Sequence, residues 1–246
     1  MGSSTLALVG VTGGAGTTRT AVEVAATLAR ANRSVAILDA AFATQGLATF
    51  VEGRIDAEVT TVATGEASLA DALYDWDIDA PGRVALCPAH APFERLARAK
   101  TPESARRFET AVADAAERFD HVLLDVPPVA ANQSVAALVA ARRRALVVPA
   151  ARRGTDLLPR QRGRLHDVGA PADAVVATRT DAEGALTVSD ADYAIPMAPP
   201  DAPIPTALDL ESTLAPAVAA ATEGLLGVEL DLSFPEPGLF DRFRDG

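Results

Sequence analysis

The chain predicts an α/β protein, a doubly wound and mostly parallel sheet with helices on both faces. Three observations predict it. Short apolar strands alternate with helical patterns along the whole sequence. A glycine-rich turn, GVTGGAGTTR over residues 10–19, joins the first strand to the first helix. Two apolar strands end in aspartate, Asp39 and Asp125, at what would be the carboxyl edge of the sheet, where ligands of such folds gather. The strands read as Leu6 to Val9, Val35 to Leu38, Val84 to Cys87, His121 to Leu124, Ala145 to Val148 and Ala174 to Ala177. The first helix spans Thr17 to Ala31, with Ala21, Val24, Ala25 and Leu28 on one stripe. Another helix starts behind Thr101 as N-cap, with Pro102 in its first turn and Glu103 next, and then carries Phe108, Val112 and Ala115. From Ser189 to Pro205 the chain turns Pro-rich, which reads as a short strand end and a surface loop before a last helix near Thr213 to Leu225. No repeat or interdomain linker interrupts this order, so residues 1–228 read as one domain and residues 229–246 as an acidic, Pro-containing flexible tail.

Composition narrows the classes. Hydrophobic residues make up 49% of the 246 positions, enough for a full core built mainly from Ala, Val and Leu. The net charge is −11, and Lys100 is the one lysine among 22 basic residues. That balance fits either a GC-rich genome or adaptation to high salt, where acidic surfaces keep proteins soluble. Cys87 stands alone in an apolar stretch, which excludes an internal disulfide and leads us to expect a reducing cytoplasm. His90, His121 and His166 are scattered singly, so no histidine metal cluster is expected. No apolar run approaches the ~18 residues of a membrane span, and no signal peptide is read at the N-terminus, so a cytoplasmic protein is expected.

The glycine-rich turn has the shape of a phosphate-binding loop without its lysine. Such a loop cradles phosphates with backbone N–H groups and a helix N-terminus, and normally adds a lysine that reaches the β- and γ-phosphates. Gly13, Gly14, Ala15, Gly16, Thr17 and Thr18 form the candidate cradle, and Thr17 stands at the lysine position. The glycines supply positive φ and close backbone approach in an anion nest, or they form an ordinary strand-to-helix turn. Thr18 sits where a hydroxyl would ligate Mg²⁺, or it caps the helix. Asp39 and Asp125 either hold Mg²⁺ through water or cap the loops that follow them. Arg19 either restores charge to an α- or β-phosphate with its planar fork, or is a solvated arginine on the first helical turn.

Three segments in register, residues 10–19, the run ILDAAFATQGL and the run FDHVLLDVPPV, resemble the ParA/MinD group of deviant P-loop ATPases. The resemblance runs from residue 5 to residue 228 and implies a P-loop NTPase fold that takes ATP or ADP with Mg²⁺. It assigns Gly13 to Arg19 to the nucleotide and Thr18, Asp39 and Asp125 to the metal, with no residue assigned to catalysis. It also implies a dimer, with a second copy or with an active paralogue. The departures fall on the charges. The lysine that reaches across the dimer in that family is Thr12 here, the P-loop lysine is Thr17, the second switch-one aspartate is Ala41 and the switch-two glycine is Val129. The adenine-reading asparagine near the end of the sixth strand is Thr178. Phosphoryl transfer depends on positioning and on neutralising charge on the γ-oxygens, so negligible hydrolysis is expected.

Two further features bear on partners. Arg142, Arg143, Arg144, Arg152, Arg153, Arg160, Arg162 and Arg164 crowd residues 142–164, and they read either as a surface for DNA phosphates or as solvated and internally paired side chains. The end of the tail, with Leu239, Phe240 and Phe243, has a faint likeness to the membrane-targeting helix of MinD. Its few apolar residues and the acids Asp241 and Asp245 argue against membrane attachment, and a docking peptide for a protein adaptor is the other reading. Together these features point to a degenerate regulatory or scaffold member of an intracellular positioning system. The alternatives are an active ATPase cycling between monomer and dimer, and a protein that associates with DNA without sequence preference.

Overall fold

Strand β1 (Ser4–Gly10) is apolar on both faces, and its side chains divide by parity between two layers. Leu6 and Leu8 point into the layer of α1 (Thr17–Arg30), whereas Ala7 and Val9 point into the opposite layer. This two-sided burial is what a central strand of a parallel sheet requires. The computed structural model describes residues 3–235. It contains an eight-stranded sheet in the order β3-β4-β2-β5-β1-β6-β7-β8. The other strands are β2 (Ser34–Asp39), β3 (Tyr74–Asp75), β4 (Arg83–Cys87), β5 (His121–Val126), β6 (Arg143–Pro149), β7 (Ala174–Thr178) and β8 (Tyr193–Ile195). All neighbours pair in parallel except β3, which runs antiparallel to β4 at one edge.

The six expected strands are present, and the sheet adds two. β8 is the short strand anticipated in the Pro-rich stretch. β3 pairs through only two residues, too few for any alternation to show in the sequence. Against one face lie α1 and α7 (Leu214–Leu226), and against the other α2 (Val59–Thr64), α4 (Pro102–Arg118), α5 (Asn132–Ala140) and α6 (Arg152–Asp167). The short α3 (Phe93–Ala99) precedes α4. The expected start of α4 holds in detail: Thr101 accepts a hydrogen bond from the Ser104 N–H at 3.2 Å and Pro102 occupies the first turn. Helix α7 ends at Gly227 in the left-handed conformation, as a C-terminal glycine allows.

The larger core centres on Phe108 of α4, which meets Phe42 edge to face with ring centroids 6.1 Å apart. Residues 229–235 lie against the first layer. Leu230 is buried there, and Arg30 donates to the Ser233 carbonyl at 2.7 Å and covers the Phe234 ring. The tail positions Leu239 to Phe243 fall outside the described residues. No described helix is long and apolar enough to cross a membrane. Cys87 is buried on β4, and burial pushes its thiol well above the ordinary range, which leaves it unreactive.

Two stability measurements follow. Phe108→Ala removes an almost fully buried ring and is expected to cost about 3–5 kcal/mol in urea unfolding. His121 is buried at the start of β5, with its Nδ1 2.6 Å from the Ser4 hydroxyl, and burial holds its pKa below the usual histidine value. Its neutral form therefore stabilises the fold above the unfolded pKa of about 6.5, and that contribution disappears as pH falls through the lower folded value. The stability gap between the wild type and His121→Gln is accordingly expected to narrow between pH 7.5 and pH 5.5; a constant gap contradicts this reading.

Candidate functional site

The turn from β1 into α1 is built on backbone geometry. Gly14 and Gly16 have φ of +74° and +88°, a left-handed region that costs other residues roughly 1 kcal/mol or more. Gly10 has a different reason: a Cβ there would lie 2.8 Å from the Thr17 hydroxyl. Gly13 has neither constraint, since its φ is not positive and a Cβ would meet nothing within 4 Å. The turn closes on itself through the Ala15 N–H donating to the Thr12 carbonyl at 3.2 Å. The first intrahelical bond runs from the Thr20 N–H to the Gly16 carbonyl at 2.8 Å. A helix start of this kind leaves the N–H groups of Gly16, Thr17, Thr18 and Arg19 without intrahelical acceptors, aimed out of the helix end. With the dipole they form an arrangement suited to an anion.

Thr18, Asp39 and Asp125 come together at the carboxyl edge. The Thr18 hydroxyl donates to Oδ2 of Asp125 at 2.5 Å, and the bare Cα of Gly46 leaves room for it. Asp39 and Asp125 face each other in register on β2 and β5. Asp39 accepts from the N–H groups of Ala41 at 2.7 Å and Ala89 at 3.3 Å, the first being the loop cap anticipated for it. Burial pushes both carboxyls above the ordinary range, and the neighbouring charge of Asp125 raises Asp39 further. The described residues hold no group of three or more His, Cys, Asp and Glu suited to a metal. This donor set fits Mg²⁺ held by one or two protein oxygens together with phosphate oxygens and water, not a closed protein cage.

The lysine positions are filled differently. Thr12 and Thr17 are buried, and the Thr17 hydroxyl turns back toward Gly10. Arg19 lies in the wall of the cleft beside the loop and is engaged within the protein: its Nε donates to Glu23 at 2.5 Å and its guanidinium to the Thr206 hydroxyl at 2.6 Å. The buried Glu23 also accepts from the N–H groups of Thr206 and Ala207, at 3.0 and 2.7 Å, which ties the segment before α7 to α1. Beside the loop opens a cleft of about 430 Å³, lined by Gly16, Thr18, Phe50, Ile195, Met197 and Leu214 among others. Polar at the loop and apolar beyond it, the cleft has the character of a nucleotide pocket. A larger hollow of about 610 Å³ lies at the opposite end of the strands, around Ser4, Arg33 and His121, away from the loop.

Thr178 ends β7, the seventh strand rather than the sixth because β3 intervenes, and its hydroxyl braces the loop by donating to the Ala15 carbonyl at 2.9 Å. The next residue was not legible as part of the site. Arg179 has φ +58° and donates to the Gly14 carbonyl at 3.3 Å, which places an exposed guanidinium at the mouth of the cleft. A signal was present: a lone arginine directly after a strand end, in a chain whose loop has no lysine.

The arginine run is dispersed. Arg142, Arg143 and Arg144 lie at the amino end of β6, and Arg152 to Arg164 run along α6. Arg143 donates to the Gly224 carbonyl, Arg144 to those of Leu138 and Ala141, and Arg164 to that of Val129. Arg162 pairs with Asp190 at 2.9 Å and Arg152 approaches Asp156 at 3.7 Å. Arg153 and Arg160 are exposed on α6.

A family model described as an AAA domain matches residues 3–155, more than half of the chain. No curated protein matches it. Among solved structures, the MinC:MinD cell division protein complex of Aquifex aeolicus aligns at TM-score 0.74 and 19% identity, over 95% of this chain and all of the matched one. A McdA complex with ATP from Cyanothece aligns at TM-score 0.69 and 19% identity, over 94% of this chain and 99% of the other. Cobyrinic acid a,c-diamide synthase from Mycobacterium smegmatis, with bound ADP and magnesium, aligns at TM-score 0.64 and 21% identity, over 95% and 100%. At these identities the likeness shows the fold, and the family-model match shows the family. With its phosphate-loop turn, two strand-end aspartates and this match, the chain belongs to the AAA-domain family, and it shares its fold with MinD and McdA.

Proposed function

We propose that this chain is a nucleotide-responsive regulatory or scaffold member of an intracellular positioning system, with negligible ATP hydrolysis of its own. The observation that carries the proposal is the split between cradle and charge. The left-handed glycines, the open N–H groups and the Thr18–Asp125 pair are in place, while buried threonines, Thr12 and Thr17, stand where lysines would serve phosphate. In this reading Gly13 to Thr18 would bind the phosphates of ATP or ADP, and Thr18, Asp39 and Asp125 would hold Mg²⁺. Mg²⁺ would supply charge neutralisation to the phosphates and to the buried carboxyl pair. The positioning role draws on the fold shared with MinD and McdA. The partner is a second copy or an active paralogue, in which the missing lysine at Thr12 would leave the partner's nucleotide uncompensated.

An active ATPase is the second reading, favoured by the intact Thr18, Asp39 and Asp125. Phosphate release decides between the two. The proposal expects no release above background from the wild type, and a gain of at least about 10²-fold over that background in a Thr12→Lys, Thr17→Lys double variant, because cations at the γ-phosphate carry much of the rate. Wild-type turnover that disappears in Thr18→Ala establishes the ATPase instead. Asp125→Asn tests the metal role separately. Removing one buried charge is expected to raise the ligand-free unfolding temperature while abolishing the further rise produced by Mg-ADP. A variant that keeps the full Mg-ADP response contradicts the assignment.

A further inference from the structure

We propose that Arg179 supplies from the end of β7 the cation that the phosphate loop lacks. This rests on the nucleotide reading above and goes beyond it by naming the residue that meets the phosphate chain. Thr178 and Arg179 clasp two successive carbonyls of the loop: the Thr178 hydroxyl donates to Ala15 at 2.9 Å and the Arg179 guanidinium to Gly14 at 3.3 Å. The clasp fixes the guanidinium beside the loop without consuming it. A guanidinium has five N–H donors in a rigid fork, and one bond to Gly14 leaves a face for a bidentate phosphate contact.

Competition for the role is weak. Arg19 lines the same cleft, but its guanidinium is already engaged by the buried Glu23 and by Thr206. Lys100, the chain's one lysine, caps the end of α3. Arg179 is exposed, makes no ion pair among the described residues and lines the same cleft as Gly16 and Thr18. Its φ of +58° is a conformation that a side chain with a Cβ adopts at a cost of roughly 1 kcal/mol. The strand end bears this cost at the point that turns Arg179 toward Gly14.

The test is calorimetric titration of the full chain with Mg-ATP and, in parallel, with adenosine, which has no phosphate. Arg179→Gln keeps the stem and the backbone demand but removes the charge. It is expected to weaken ATP at least about tenfold, the worth of a charge-assisted hydrogen bond, and to leave adenosine unchanged. Arg179→Lys is expected to recover part of the loss, because an ammonium keeps the charge without the fork. ATP affinity unchanged in Arg179→Gln, or ATP and adenosine weakened in step, overturns the role of Arg179 alone. Wild-type protein that binds neither ligand overturns the nucleotide reading itself, and this proposal with it.

Discussion

Two carboxylates side by side in a sheet covered on both faces set the terms for the rest of this site. Asp39 and Asp125 occupy paired positions on β2 and β5, each almost completely buried. Burying an ion costs several kcal/mol even after relaxation, and two like charges in adjacent strands add repulsion. The fold offsets part of that cost with the N–H groups of Ala41 and Ala89 on Asp39 and the Thr18 hydroxyl on Asp125. No basic side chain pairs with either carboxylate among the described residues. An apolar or amide pair would serve packing better; in the function proposed above, a divalent cation would neutralise the pair.

From that pair the geometry extends in two directions. Through Thr18 it reaches the helix start, whose open N–H groups favour an anion. Through the segment after β2 it reaches Gly46, which packs on Thr18, and then Phe50 at the wall of the cleft. The backbone half of a phosphate site needs no side-chain cation, because it consists of peptide dipoles held by φ angles. The catalytic half does, because transition-state charge must be met by placed cations. In the function proposed above, Thr12, Thr17, Ala41 and Val129 would therefore bear on turnover far more than on binding.

The fold was legible because a doubly wound sheet writes itself as apolar runs separated by amphipathic helices, with both faces of β1, β2, β5 and β6 buried. The glycine-rich turn was legible for a sharper reason, since left-handed Gly14 and Gly16 leave few alternatives, although Gly13 proved unconstrained. Asp39 and Asp125 could be paired in advance because each ends a strand. The brace from Thr178 could not be read in advance, and for Arg179 only its place directly after a strand end marked it. Each depends on a contact across more than 160 positions, and the direction of Arg179 depends on a left-handed residue that no propensity marks. Arg19 illustrates the converse: adjacent to the loop in sequence and in the wall of the cleft, its guanidinium is engaged by Glu23, whose burial follows from the packing of α1 against the segment before α7.

The central claim is that peptide N–H groups at the β1–α1 turn still hold nucleotide phosphate. Amide hydrogen exchange with and without Mg-ADP measures this directly. The account predicts slowed exchange centred on residues 13–20, with smaller effects around residues 46–50 and 178–179 that line the same cleft. Exchange in residues 13–20 that is unchanged at saturating Mg-ADP contradicts it, and leaves the turn as a strand-to-helix connection in a fold used for protein contacts alone.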